Sequence, residues 1–171
     1  MVTQITDMNN GKYLDLNIEN GEKMDFCIGV AAYPEKHFEA PNMASDLAFA
    51  KAKVDAGANY MVTQMFFDNQ KYFNFVDECR KIGINIPIVP GLKPITKRYQ
   101  TNALPRLFYI DMPDDLVKAL EKAKDKEAIR EVGIEWCTAQ SKELKERGAP
   151  CLHYYTMGDS DTIRRVVEGV F

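Results

Sequence analysis

Polar and aromatic side chains stand at the ends of apolar runs along the chain. Tyr33 and His37 follow one run, Thr63 and Gln64 lie within another, and Tyr155 lies in the last. A phenol, an imidazole and an amide can stack on a flat heterocycle and can hydrogen-bond its edges. Because ligands of α/β proteins bind at the carboxyl ends of parallel strands, the sequence predicts a ligand site at that edge.

Each of these residues, and the nearby charged pair Asp46 and Lys53, also has an ordinary structural interpretation. An aromatic residue at a strand end often packs in the core, and Asp46 and Lys53, two helical turns apart, are typical of a solvated helix face. Gln64 is more informative, because an amide inside an apolar run must replace its lost water contacts. Either a bound heterocycle or a neighbouring backbone group would satisfy it.

Lys93 follows the third apolar run and is flanked by Leu92 and Pro94. A lysine there could form a Schiff base, as in barrel aldolases. Glycine-rich phosphate loops, an H-E-x-x-H motif and a nucleophile elbow are all missing from the sequence. His37 and His153 lie in different units without acidic neighbours at ligand spacing, so we expect no metal site.

The elements that position these groups alternate between strands and helices. Apolar runs predict parallel strands, the first of them buried on both faces, over residues 26–33, 60–67, 86–89 and 151–156. Periodic spacing between capping residues and glycines predicts helices over residues 42–56, 68–81, 102–108, 113–123, 126–147 and 159–167. The result is an α/β chain of four strand and helix units.

Four such units make half of an eight-stranded (β/α)8 TIM barrel, which takes about 250 residues and rarely fewer than about 200. With 171 residues, the chain supplies about half of that. We expect a weakly ordered connecting arm over residues 1–24 and a half-barrel of four parallel units over residues 25–171. A half-barrel leaves two strand edges and an inner face uncovered, so self-association or a second half-barrel should complete it.

Composition narrows the class of protein. A hydrophobic fraction of 46% and a net charge of -3 are ordinary for a globular domain, and the only dense basic grouping is residues 93–98, so nucleic acid is an unexpected partner. The sequence has neither a signal-like start nor an apolar run of about 18 residues, which predicts a cytoplasmic protein without a membrane partner. The four widely spaced cysteines are expected to be reduced, buried thiols.

Five segments together resemble methylenetetrahydrofolate reductase in order and separation. They are VAAYPEKHFEA (residues 30–40), KVDAGAN (53–59), TQMFFD (63–68), PGLKPI (90–95) and HYYT (153–156). The resemblance runs from about residue 26 to the end of the chain. It implies the C-terminal half of a flavin-containing barrel, with strands five to eight and their loops.

The resemblance also implies roles for particular residues. In that family, FAD is held by residues that match Tyr33, His37, Ala40, Asp46 and Lys53. The amide used by both folate and nicotinamide matches Gln64, a second folate-side amide matches Gln100, and the late aromatic residue matches Tyr155. The implied reaction is reduction of 5,10-methylenetetrahydrofolate to 5-methyltetrahydrofolate by NAD(P)H through FAD.

Several positions depart from the family pattern. Asp159 stands where Arg is common, which puts a contact with the glutamate tail of the folate in question. Phe38 replaces a common Pro, and Phe49 and Ala52 replace polar residues. The family's general acid, a Glu on the first barrel strand, is not within these 171 residues. We therefore expect the chain alone to be inactive.

Two other classes of function remain open from the sequence. One is a lysine-dependent barrel lyase that uses Lys93 as its covalent nucleophile. The other is a non-catalytic half-barrel that binds a partner.

Overall fold

The computed structural model describes residues 1–15, 17–18 and 21–171, which form one parallel sheet with helices. The strands are hydrogen-bonded in chain order, and they are β1 (Gly29–Ala32), β2 (Tyr60–Met65), β3 (Ile88–Leu92) and β4 (His153–Tyr154). The helices are α1 (Val2–Asn9), α2 (Met43–Asp55), α3 (Asn69–Lys81), α4 (Gln100–Phe108), α5 (Asp114–Lys122), α6 (Lys126–Glu146) and α7 (Ser160–Glu168). The predicted half-barrel of four parallel strand and helix units is confirmed.

Short polar side chains start the helices that follow the strands. Asn42 accepts a hydrogen bond from the Ser45 amide at the start of α2, and Asp68 caps α3 in the same way. Asp159 caps α7. Gly57 follows the end of α2 with φ of +112°, a left-handed conformation that an L side chain adopts only at a cost.

A β-bulge interrupts the pairing of β2 with β3. Val62 pairs with Val89, but the next pair joins Met65 to Gly91, so β2 has one residue more than β3 between the two pairs. The Gly91 amide donates to Thr63 Oγ1 over 2.9 Å. A Cβ at Gly91 would lie 2.2 Å from the Thr63 carbonyl oxygen, so only glycine fits this close approach. Bulges of this kind reorient side chains at strand ends.

Two hydrophobic clusters hold the structure together. The larger packs one face of the sheet against the helices, with Met61, Ile88 and Leu92 from the strands meeting Cys79 and Leu144. The smaller cluster joins residues beyond the strand ends, such as Phe67 and Ile95, to α4, α5 and the first half of α6. The second cluster fixes the long connection that carries Lys93 and Gln100.

The other face of the sheet is open, which corrects one prediction. The first strand was expected to be buried on both faces, but Gly29 and Ala31 are exposed while Ala32 is buried. The reason is that no other element covers that face in the described part of the chain. The accessible surface is 10083 Å², whereas a monomer of 19.5 kDa ordinarily exposes about 8,500 Å².

Strand boundaries account for most of the differences from prediction. β3 continues through Pro90 and Gly91, which were taken as its end, because Gly91 and Leu92 pair with β4. β4 has only two residues, because it pairs with β3 only at Gly91 and Leu92. Two of the cysteines expected to be buried, Cys27 and Cys151, are exposed, and all four cysteines are free.

The N-terminal arm contains a helix that was not predicted. Thr6 Oγ1 on α1 donates to the Ala56 carbonyl over 2.7 Å, and the Asn9 side chain makes two 2.9 Å hydrogen bonds to the Phe26 backbone. These contacts attach α1 to the end of α2 and to the segment before β1. Leu16 of this arm lies outside the described residues.

Helix α6 lies directly against the backbone of the connection after β3. A Cβ at Gly133 would lie 1.8 Å from the Ile95 carbonyl oxygen. Within the described residues, no helix has the length and apolar character needed to cross a membrane.

Candidate functional site

All five residues that the resemblance assigns to FAD line one cavity, which we call the β1–α2 cavity. Its volume is about 680 Å³, and its walls include Tyr33, His37, Ala40, Asp46 and Lys53. The two departures from the family pattern, Phe49 and Ala52, line it as well, and so do Met1 and Val2 of the arm.

The loop between β1 and α2 is shaped by hydrogen bonds within a short stretch of sequence. The buried Asp46 carboxylate accepts from the His37 amide over 2.9 Å, so the first turn of α2 holds the loop. Lys36 has φ of +75°, and its ammonium donates to the Ala40 carbonyl over 2.6 Å. These contacts hold the loop in the conformation in which His37 and Ala40 form part of the cavity wall.

The charged and ionisable groups of this cavity influence one another. Burial raises the pKa of Tyr33, and the nearby Asp46 carboxylate raises it further. Burial lowers the pKa of Lys53, while Asp46 opposes that shift. The Lys53 ammonium donates to the Ala31 carbonyl over 2.5 Å. The cavity walls therefore include the Lys53 ammonium, two carboxylates and three rings, those of Glu39 and Asp46 and of Tyr33, His37 and Phe49.

Aromatic rings form a row from β1 to the end of α4. The Tyr33 and His37 rings lie 4.5 Å apart edge to face, and His37 lies 4.7 Å from Phe38. Phe38 stacks on Tyr109, with 5.2 Å between centroids. The loop after β1 thus contacts the end of α4 across the carboxyl edge of the sheet.

At the β-bulge, the Tyr155 side chain reaches the backbone of Thr63, the residue before Gln64 at the carboxyl edge of the sheet. The Tyr155 hydroxyl donates to the Thr63 carbonyl over 2.9 Å, and the Gln64 Oε1 accepts from the Met65 amide over 2.9 Å. Gln64 Nε2 has no hydrogen-bond partner among the described residues. Burial raises the pKa of Tyr155, and Tyr33 adds a smaller contribution in the same direction.

Gln100 lies apart from Gln64 and Tyr155, in a second cavity that we call the α4–α7 cavity. This cavity has a volume of about 440 Å³ between α4 and the loop that joins β4 to α7. Gln100 Oε1 accepts from the Thr96 and Lys97 amides over 2.8 and 3.0 Å. Gln64 and Tyr155 line neither cavity. The three substrate-side predictions therefore fall in two places.

Of two further residues at the site, one was expected from the sequence and one was not. Lys93, the candidate nucleophile of the sequence analysis, is only 7% exposed and lines the α4–α7 cavity. The Glu35 side chain, also 7% exposed, accepts from Lys71 over 2.8 Å and from the Asp111 amide over 3.0 Å. No local pattern marks Glu35, because its partners are distant in sequence. The apolar neighbours Leu92, Pro94 and Ile95 were the sequence feature that indicated burial of Lys93.

A larger groove of about 980 Å³ lies between residues 96–99 and 124–130 but contains none of the predicted site residues. Charges of both signs line it, and several are paired, as Arg130 is with Asp161. We regard it as a solvated surface groove.

Comparison with known proteins identifies the family. The methylenetetrahydrofolate reductase family model matches residues 13–170. The chain is 38% identical over 147 residues to a probable methylenetetrahydrofolate reductase (NADPH) of Caenorhabditis elegans, covering 85% of this chain and 22% of that protein. It is 42% identical over 142 residues to methylenetetrahydrofolate reductase (NADH) 1 of Arabidopsis thaliana, covering 77% and 24%.

A bacterial relative supports this match, and a solved structure shares the fold. The chain is 36% identical over 141 residues to 5,10-methylenetetrahydrofolate reductase of Escherichia coli, covering 82% of this chain and 48% of that protein. An uncharacterized protein from Clostridium thermocellum, said to bind two copies of 5-methyl-5,6,7,8-tetrahydrofolic acid, has a similar fold. The TM-score is 0.57 at 18% identity, over 85% of this chain and 53% of that one.

This chain spans between about a quarter and a half of the length of the three reductases named here. The match nevertheless includes most of the residues described above, among them both cavities and the bulge. The chain belongs to the methylenetetrahydrofolate reductase family.

Proposed function

We propose that the chain provides the C-terminal, FAD- and folate-binding half of a methylenetetrahydrofolate reductase. Such an enzyme uses NAD(P)H to reduce 5,10-methylenetetrahydrofolate to 5-methyltetrahydrofolate. The observation that carries the proposal is that Tyr33, His37, Ala40, Asp46 and Lys53, assigned to FAD by resemblance, line a single cavity. The names of the relatives include both NADH and NADPH, so the proposal covers either nicotinamide.

The residues of the β1–α2 cavity fit a flavin dinucleotide. Lys53 supplies a cation for a diphosphate, and the Tyr33 and His37 rings supply flat surfaces for stacking. Asp46 holds the loop amide of His37 and so fixes where that ring lies. Bound FAD would carry electrons between the nicotinamide and the folate, which is chemistry that no side chain of this half supplies.

The substrate side of the proposal rests on free hydrogen-bond donors at the carboxyl edge. Gln64 Oε1 accepts from the Met65 amide, which fixes the side chain. Its Nε2 has no acceptor among the described residues and is available for a pterin or a nicotinamide amide. Tyr155 is fixed by the Thr63 carbonyl and presents its ring at the same edge. Holding a reacting carbon in place at this edge is the contribution of these side chains to the rate.

Completion by another half-barrel is part of the proposal. The open face of the sheet and the large accessible surface leave apolar groups that a second half would cover. The expected general acid would come from that half, or a second copy of this chain would cover the face without supplying the acid. The proposed location is the cytoplasm.

The test uses this chain alone and coexpressed with the part of the Escherichia coli relative that it does not match. We expect flavin to copurify with the complex and NAD(P)H-dependent folate reduction to occur there, and the chain alone to be inactive with weak flavin binding. Asp46→Asn should reduce the bound flavin, measured by absorbance and by dialysis against FAD. Asp55→Asn, an exposed change on the same helix, should leave it unchanged.

Two results would contradict the proposal. Equal flavin binding by both variants would remove the β1–α2 cavity as the cofactor site. Steady turnover by the chain alone would show that no second half is needed.

A lysine-dependent lyase keeps one observation in its favour, since burial lowers the pKa of Lys93 and an uncharged amine is the nucleophile in imine formation. In that reaction the amine condenses with a carbonyl and releases water, and borohydride reduces the imine to a stable secondary amine. A mass increase at Lys93 after such trapping would favour this alternative over the reductase.

A further inference from the structure

One buried carboxylate links three consecutive strand and helix units at the carboxyl edge of the sheet. The side chain of Glu35, in the loop between β1 and α2, is only 7% exposed. Its Oε2 accepts from the Lys71 ammonium over 2.8 Å and from the Asp111 amide over 3.0 Å. Lys71 lies in the first turn of α3, and Asp111 lies between α4 and α5. A single oxygen therefore joins the segments that follow β1, β2 and β3.

Glu35 belongs to the loop that lines the β1–α2 cavity. Tyr33, His37 and Ala40 lie within five residues of it and line that cavity, whereas Glu35 is not part of the lining. The His37 amide donates to the Asp46 carboxylate on α2 over 2.9 Å. Glu35 bonds to other elements, α3 and the connection between α4 and α5. The loop is thus held at two points, two residues apart, by different parts of the fold.

The charge of Glu35 matters more to this arrangement than its packing. A buried carboxylate is unfavourable unless donors replace its lost water contacts, and removing one partner of such a pair leaves an uncompensated charge. Lys71 also contacts the Asp111 carboxylate, so one ammonium serves two anions. A second contact between the loop and the connection, the stack of Phe38 on Tyr109, buries less surface because both rings are more than half exposed.

We propose that Glu35 is a positioning residue for the flavin, which fixes the cofactor loop and couples it, through Lys71 and the Asp111 amide, to the connection between α4 and α5. The inference rests on the proposed function and deepens it, because this loop lines the proposed cofactor cavity. A flavin that prefers the loop with Glu35 bonded must, by linkage, also stabilise the hydrogen bond of the Asp111 amide.

The first test measures flavin affinity in the complex of this chain with the unmatched part of the Escherichia coli relative. Glu35→Gln keeps the shape of the side chain but removes its charge, and FAD should bind about 10-fold more weakly in a fluorescence titration of the flavin-free complex. Lys71→Met should have a similar effect, and the double variant should lose little more, because both changes remove the same contact. Lys71→Arg should recover most of the affinity.

Glu78→Gln is the matched control for that titration. It removes the carboxylate of an exposed pair with Lys81 on α3, so the chemical change is the same but the charge was solvated. This variant should bind FAD as wild type does.

Hydrogen exchange separates the coupling from a purely structural role. Saturating FAD should slow exchange of the Asp111 amide about 10-fold in the wild-type complex and by less in Lys71→Met, measured by mass spectrometry of the peptide that contains it. The Ala128 amide is the reference, since it also donates to a carboxylate, that of Asp125, but at the start of α6. Flavin should leave its exchange unchanged. An Asp111 amide that exchanges equally with and without FAD would overturn the coupling.

The remaining outcomes distinguish this inference from the proposed function. FAD binding that is weakened by Asp46→Asn but unchanged in Glu35→Gln would overturn the positioning role and leave the proposed function in place. FAD binding that responds to neither change would overturn both. If circular dichroism shows that Glu35→Gln does not fold, Lys71→Met decides the same question, because that side chain is one-third exposed.

Discussion

The two cavities at the carboxyl edge of the sheet are built in different ways. Apart from the first residues of the arm, the named walls of the β1–α2 cavity come from one stretch, residues 33–56, closed by the contact between Asp46 and the His37 amide. The α4–α7 cavity joins residues 93–108 to residues 156–162. The first therefore depends on local sequence, and the second depends on packing between two segments that are distant in sequence. Four changes, each measured by urea denaturation, separate these two dependences.

The largest effect is expected between the cavities, at the bulge. Gly91→Ala should lower the free energy of unfolding by about 3 kcal/mol, because the new methyl group meets the Thr63 backbone at 2.2 Å, where no side chain can yield. Gly148→Ala is the control, since it has a positive φ but open space around it, and should cost about 1 kcal/mol. Equal costs would show that crowding at the bulge is unimportant.

Asp46→Ala tests the local construction of the β1–α2 cavity. The change leaves the His37 amide without its acceptor and should lower the free energy of unfolding by about 2 kcal/mol. Asp55→Ala, exposed on the same helix, should stay within about 0.5 kcal/mol of wild type. If Asp46→Ala were neutral, the loop would be held by something other than this contact.

Tyr155→Phe tests the contact of the last strand with the bulge. Losing the 2.9 Å hydrogen bond to the Thr63 carbonyl should cost about 1 kcal/mol. Tyr99→Phe, at an exposed hydroxyl before α4, provides the matched comparison and should have no measurable effect. A neutral Tyr155→Phe would mean that water replaces the phenol without loss.

Lys71→Met tests the connection between the two regions, because Glu35 and Asp111 share this lysine. Burial raises the pKa of Glu35 and Lys71 opposes that rise, while the hydrogen bond from Lys71 lowers the pKa of Asp111. Without Lys71 both carboxylates hold protons more tightly in the folded state. The variant should therefore be about 0.5–1 kcal/mol less stable at neutral pH and lose less as the pH falls through the carboxylate range.

The pH series is the control for that prediction. A stability difference that stayed constant between pH 4 and pH 7 would assign the effect to lost packing of the lysine stem instead of to charge.

The sequence predicted the elements well where caps and glycines mark them, as at Asn42 and Gly57. It predicted the contents of the β1–α2 cavity, since those residues are close together along the chain. It did not predict the bulge at Thr63, because that depends on a hydrogen bond from another strand. The α4–α7 cavity was beyond sequence reasoning for the same reason, since residues 93–108 and 156–162 meet only when the chain is packed.

Gly133 has a consequence for any attempt to change which compounds this protein accepts. The missing side chain lets a helix far along the chain rest on the Ile95 peptide, a few residues from Lys93 and Gln100. The position of the connection that lines the α4–α7 cavity is thus set by α6, a helix with no residue in the named lining. Redesign of the lining residues alone would leave that position unchanged, whereas any side chain at position 133 would have to displace the Ile95 peptide.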